Sequence, residues 1–323
     1  MTSCLRAGRE SPRVGRLPDD PVTLADMAGK SAGELRTQLR EFITPDGLRL
    51  VADTYGEPGS QAVILMHGGG QTRHSWSGSA TALAEAGYFV VNYDARGHGD
   101  SEWSAQGAYD YRVRATDLQS IVSQLPQSCA LVGASMGGLT ALQAISDGYT
   151  PAALVLVDIV PNPEGRGVDR IREFMLRHSG GFANVEEAVA AVAAYNPNRT
   201  KQPTSEGIMR NLRAGEGGRW YWHWDPRILP GTPGEAATRR RLLFEGMRFN
   251  QAIPTLLIRG LRSEVVSDAG VSEFRRLLPA LEVADIARAG HMVAGDDNDV
   301  FNEAAVNYLR RVFPASKTNP SCV

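Results

Sequence analysis

Short, unbroken apolar runs punctuate the chain at residues 62–66, 88–91, 130–132, 152–157 and 255–258. They are rich in Val, Ile and Leu and show no polar alternation. Runs of this kind suit strands buried on both faces, and therefore a parallel sheet covered by helices. Between and after them apolar residues recur at helical spacing: Leu118, Ile121, Val122 and Leu125, then Phe301, Ala305, Leu309 and Val312. Alternation of strand and helix predicts an α/β fold. Upstream, residues 40–44 and 48–55 flank Pro45-Asp46-Gly47, a turn signal that predicts an antiparallel hairpin at one sheet edge.

One stretch breaks the rhythm. From 161 to 251 no buried-strand run occurs, only helical patterns at 185–194 and 204–212 with Gly- and Pro-rich joints. A structureless loop of that length is improbable in a compact domain, so a mainly helical insertion between two core strands is expected. The predicted organisation is an N-terminal arm (1–38), a core (39–160 and 252–314), an inserted helical lid (161–251) and a C-terminal tail (315–323).

Composition narrows the function. The 323 residues carry 34 Lys+Arg against 36 Asp+Glu, a net charge of −2, which offers no positive field for a nucleic acid. The three cysteines, Cys4, Cys129 and Cys322, are too scattered for a disulfide framework or a zinc site. No apolar run approaches the ~20 residues of a membrane span, and the first residues have no apolar stretch of a secretory signal. A cytoplasmic protein acting on a small molecule is expected, without membrane or nucleic-acid partner; monomer and homo-oligomer stay open.

The strongest chemical signal is Gly133-Ala134-Ser135-Met136-Gly137-Gly138, between the run 130–132 and a helix. This is G-x-S-x-G in the strand–turn–helix setting it requires. Glycines two before and two after the serine permit a tight, strained turn that holds the hydroxyl above the sheet edge. The Met136 amide, at the helix N-terminus, points where an oxyanion would form. A second signal, His67-Gly68-Gly69-Gly70, follows the run 62–66; an amide there, Gly69 or alternatively Gly70, would complete the oxyanion hole. His67 itself precedes the serine in the chain and is read as structural.

A serine hydroxyl needs a neutral imidazole to take its proton. In the chain order Ser–acid–His, His291 of Gly290-His291-Met292 fits, since it follows a last β run at 281–286 and precedes the last helical pattern. The carboxylate that orients it is expected to be Glu264, the first after the run 255–258, with Asp158 the alternative and Asp268 third.

These motifs, together with Asp94-Ala95-Arg96-Gly97-His98-Gly99-Asp100-Ser101, resemble the α/β-hydrolase superfamily from about Arg40 to Phe313. Within it the chain is similar to the Ser-nucleophile esterase, cofactor-free haloperoxidase and C–C-bond hydrolase group. The resemblance implies a structural Arg-Gly-His-Gly loop, with no catalytic role for His98 or Asp100. It also implies an acid three residues after the glycine that ends its strand, a place held here by Ser263. A nucleophilic Asp would have implied epoxide or haloalkane chemistry; Ser135 speaks against both.

The reading is a serine hydrolase acting on small to medium, fairly apolar carboxylic esters or lactones through an acyl-enzyme, with neither cofactor nor metal. C–C-bond hydrolysis, perhydrolysis and acyl transfer are alternatives on the same scaffold, and a non-catalytic receptor with a vestigial triad is an alternative from another class. Three of the five tryptophans, Trp220, Trp222 and Trp224, alternate in the inserted segment. Extended, they would share one face, either packing the segment onto the core or walling a substrate pocket.

Overall fold

A computed structural model describes residues 37–125, 128–195, 202–229, 233–291 and 298–315. Nearly all of the expected arm (1–38) and tail (315–323) lies outside these residues. The five apolar runs become strands β3 (Ala62–Met66), β4 (Phe89–Tyr93), β5 (Ala130–Ala134), β6 (Ala153–Val157) and β9 (Thr255–Gly260). All are buried along nearly their whole length, the condition under which a strand needs no polar face. The hairpin is β1 (Thr37–Ile43) and β2 (Arg49–Tyr55), and β10 (Glu282–Ile286) closes the far edge.

The eight strands lie in the order β1-β2-β4-β3-β5-β6-β9-β10. β2 runs antiparallel to both its neighbours, and β3, β4, β5, β6, β9 and β10 are mutually parallel. Alternation of side chains then divides the core. Ile64, Leu131, Leu154 and Leu257 face helices α2 (Tyr111–Val122), α3 (Met136–Ser146) and α8 (Asp268–Leu277), contributing to a cluster with Leu118, Leu142 and Phe274. Val63, Leu65, Val155 and Ile258 face the other way, with Leu83 of α1 (Ser77–Glu85) and Phe301 and Leu309 of α9 (Asn298–Val312). Residues on one strand thus serve two cores.

Between β6 and β9 lie α4 (Gly165–Leu176), α5 (Val185–Tyr195), α6 (Ser205–Met209) and α7 (Pro233–Gly246). They are joined by a two-stranded ribbon of β7 (Leu212–Ala214) and β8 (Trp220–Trp222), where only helices were expected. The helical pattern at 204–212 therefore breaks after one short helix, because Leu212 turns to pair with Trp222. This segment has its own apolar cluster around Met175, Phe182, Ile208, Trp222 and Trp224. Among the described residues no helix is long and apolar enough to cross a membrane.

β3 lies between β4 and β5, so the chain leaves β3 to one side and returns on the other. Such a reversal opens a crevice at the carboxyl ends of the strands, where α/β sheets bind ligands. The loops after β3 and β5 are His67–Gly70 and Ser135.

Candidate active site

Ser135 sits between β5 and α3 at φ +45° and ψ −108°, a conformation that side-chain-bearing residues rarely adopt. The flanking glycines are required by close approach. A Cβ at Gly137 would lie 2.3 Å from the Met66 carbonyl oxygen, and one at Gly133 would lie 2.6 Å from the Gly137 backbone. The turn can therefore press against β3 and lift the hydroxyl out of the sheet. Ser135 and His291 both line a cavity of about 260 Å³, together with Gly69, Met136, Trp222 and Trp224.

His291 donates from Nδ1 to Asp158 Oδ2 at 2.7 Å. A carboxylate there only accepts, so the proton is on Nδ1 and Nε2 is left as the basic nitrogen. Asp158 is fully buried just past β6 and also accepts from Gly260 N–H (3.2 Å) and Ser263 Oγ–H (2.5 Å). Glu264, expected to hold the histidine, does not reach it. It is turned outward, 58% exposed, with both oxygens 2.5 Å from Arg170 Nη1. The reason is lateral: β6 and β9 are paired neighbours, and Asp158 N–H donates to Ile258 O at 2.8 Å. Positions far apart in the chain thus meet at one sheet edge, and Ser263, the place at which the resemblance implied an acid, instead braces the carboxylate of the adjacent strand. Asp268 ion-pairs with Arg259 (2.7 Å).

The histidine loop is held by the same edge. A Cβ on Gly260 would lie 2.3 Å from Ala289 O and 2.5 Å from Gly290 O, and Arg262 N–H donates to Ala289 O at 3.0 Å.

In the loop after β3, the Gly68 amide donates to Gln71 Oε1 (2.8 Å) and the Gly70 amide to His98 Nε2 (3.2 Å). Gly70, the alternative oxyanion donor, is thereby occupied. The Gly69 and Met136 amides make no hydrogen bond among the described residues.

Three buried imidazoles fix this loop, a role that the sequence did not disclose for His98 and His223. His67 accepts from Ala95 N–H at Nε2 (3.0 Å) and donates from Nδ1 to Gly68 O (2.8 Å). His98 donates from Nδ1 to Arg96 O (3.2 Å) while accepting from Gly70. His223, from the inserted segment, accepts from Gly99 N–H at Nδ1 (2.7 Å) and donates from Nε2 to Gly70 O (3.4 Å). Each ring accepts at one nitrogen, so only neutral imidazole fits. Burial pulls all three below the ordinary 6.5, His223 to about 4 despite the opposing Asp94 carboxylate.

The unfolded chain binds more protons than the folded one between pH ~6.5 and ~4, so stability is full above that window and falls as pH drops through it. His223 alone accounts for about 3 kcal/mol of that fall. Denaturant unfolding at several pH values should show His223→Gln with a shallower slope than wild type, by about one proton; parallel slopes would refute the assignment.

Of the three tryptophans, Trp222 and Trp224 line the cavity and stack on one another, centroids 4.8 Å apart and planes 11° apart. Trp220 does not line it; its backbone pairs with Phe182. Trp224→Ala should therefore change which apolar ligands the cavity accepts, and Trp220→Ala should lower melting temperature with that preference unchanged. Binding measurements over a homologous series of apolar ligands, beside thermal melts, read both.

Arg240 and Tyr111 also line the cavity and were not singled out by any motif. Arg240 lies in a run of three arginines on α7, where composition alone reads as solvated surface.

A family signature described as alpha/beta hydrolase fold matches residues 61–297. The chain belongs to the α/β-hydrolase family. Among curated members it is 29% identical over 242 residues to an esterase of Mycobacterium tuberculosis, covering 72% of this chain and 78% of that one. It is 29% identical to an sn-1-specific diacylglycerol lipase of Mus musculus over 94% of this chain and 95% of the relative. A solved structure of the M. tuberculosis esterase superposes with TM-score 0.67 at 25% identity, over 89% of this chain and 95% of that one. An alpha/beta hydrolase of Novosphingobium aromaticivorans, at 22% identity, shares the fold with TM-score 0.69, over 87% and 99% of the two chains. These likenesses support a hydrolase of the α/β family.

Proposed function

We propose that the protein is a serine hydrolase of carboxylic esters or lactones, with Ser135 as nucleophile, His291 as base and Asp158 as the acid that orients it. The observation that carries the reading is the His291 Nδ1–Asp158 Oδ2 hydrogen bond together with the strained Ser135, histidine and serine both lining one cavity. His291 Nε2 takes the proton as Ser135 Oγ bonds to the ester carbonyl carbon. The resulting oxyanion accepts from the Gly69 and Met136 amides. Collapse breaks the C–O bond to the alcohol, which leaves with the proton from His291. Water then adds to the acyl-enzyme by the same route, releasing the acid and regenerating Ser135.

Residues 161–251 act as the lid, and Trp222 and Trp224 give the acyl or alcohol part an apolar wall. Labelling by a fluorophosphonate, located at Ser135 by peptide mass spectrometry, together with turnover of p-nitrophenyl acyl esters, tests the proposal. Labelling without turnover of any ester or lactone would favour another reaction on the same scaffold, and no labelling would refute the nucleophile.

A further inference from the structure

The cavity beside Ser135 is lined largely by apolar groups, among them Leu139, Ile171, Met175 and Trp224. One lining residue is out of keeping. Arg240 of α7 reaches this wall half-buried, and no carboxylate lies within ion-pair distance of it among the described residues. Its neighbour Arg241 is turned to Glu245 at 3.7 Å. Desolvation draws the Arg240 guanidinium below its ordinary range, opposed only by the Tyr111 phenol.

A second observation points the same way. Tyr111 also lines the cavity, and the Arg114 guanidinium carbon lies 5.8 Å from its ring centroid. Arg114 is 4% exposed, and its Nε and Nη2 have no hydrogen-bond partner. Asp117, the carboxylate on its own helix, is taken by Arg96 through two bonds of 2.6 Å. Two guanidinium groups thus lie near one phenol, neither in a direct ion pair among the described residues, Arg114 feeling Asp117 only at longer range. Arginine is almost never buried unless paired, because an uncompensated buried charge costs several kcal/mol.

We propose that Arg240 anchors a carboxylate carried by the substrate, so that the ester cleaved at Ser135 is one bearing a free acid group, such as a half-ester of a dicarboxylic acid. The guanidinium fork matches a carboxylate through two parallel N–H···O bonds, and its weak solvation in the cavity strengthens them. The otherwise apolar wall receives the methylene chain between acid and ester. The inference rests on the ester-hydrolase reading above.

Two measurements test it. Monoethyl esters of four- to eight-carbon diacids, and their primary-amide counterparts of the same length, are assayed by pH-stat at low salt. The best carboxylate ester should exceed its amide counterpart in kcat/KM by roughly tenfold or more, the range expected of a hydrogen bond to a charged group. In Arg240→Met that ratio should fall to about one. A ratio near one in wild type, or a ratio unchanged in Arg240→Met, overturns the proposal. Independently of turnover, adipate and its homologues should raise the melting temperature of wild type and leave Arg240→Met unmoved; no shift in wild type overturns it as well. Stabilisation by diacids with no cleavage of either ester series would sink the ester reading and leave the anion site standing.

Discussion

Replacing Ser135 by alanine should lower kcat by about six orders of magnitude, because every covalent step of the proposed mechanism passes through its hydroxyl. The fold should survive. Alanine is smaller, the side chain lies on the wall of an open cavity, and the turn is set by Gly133 and Gly137 against β3 and α3. Relief of the positive φ at this position is not available to alanine, so no large gain in stability is expected either. Single-turnover assays beside thermal melts make the measurement. A variant that keeps a tenth of wild-type turnover would remove Ser135 from the mechanism.

The next largest effect is expected at Asp158. An asparagine there presents an amide N–H to His291 Nδ1 or an oxygen that cannot balance the imidazolium formed as Ser135 is deprotonated. In the first case the ring proton moves to Nε2, the nitrogen that must accept from the serine. A loss in kcat of about four orders of magnitude is expected, with KM little changed. With the amide nitrogen in the place of Oδ2, Gly260 N–H keeps the amide oxygen as its acceptor and the Ser263 hydroxyl can rotate to accept, which keeps the substitution from becoming a folding defect. Glu264→Gln should leave kcat within about twofold, since it disturbs only an exposed pair with Arg170, a class of interaction contributing about 0–1 kcal/mol. The reverse outcome would return the acid to Glu264.

The contrast between these two carboxylates shows what the sequence could and could not convey. The parallel strands were legible because a strand buried on both faces must be apolar throughout, and β3 is read to the residue. The serine turn was legible because its close approach to β3 and α3 demands glycines at fixed offsets. The acid was not. Its position depends on which strands are lateral neighbours, and nothing in residues 158–264 announces that β6 and β9 pair. The ribbon of β7 and β8 was hidden for a related reason: three-residue strands are made by their cross-strand partners, and Leu212 ended a pattern that read as helix. Trp222 and Trp224 were visible as an unusual cluster, but which ring would face the cavity was settled by tertiary packing. Arg240 was invisible among like-charged neighbours, since the face of a helix that is covered is decided by what lies across from it.

The meeting of Asp158 and Ser263 has an evolutionary consequence. Their side chains lie 2.5 Å apart at one end of two adjacent strands. Both positions therefore give access to the same imidazole nitrogen. A lineage can carry the acid on either strand, and pass from one perch to the other by point substitutions, with the backbone undisturbed and a carboxylate present throughout if the new one arrives before the old one is lost. Homologues aligned on a single acid column would then look inactive when they are not. In this chain the turn after β9 contributes a serine that braces the carboxylate, while the histidine is oriented from the end of β6.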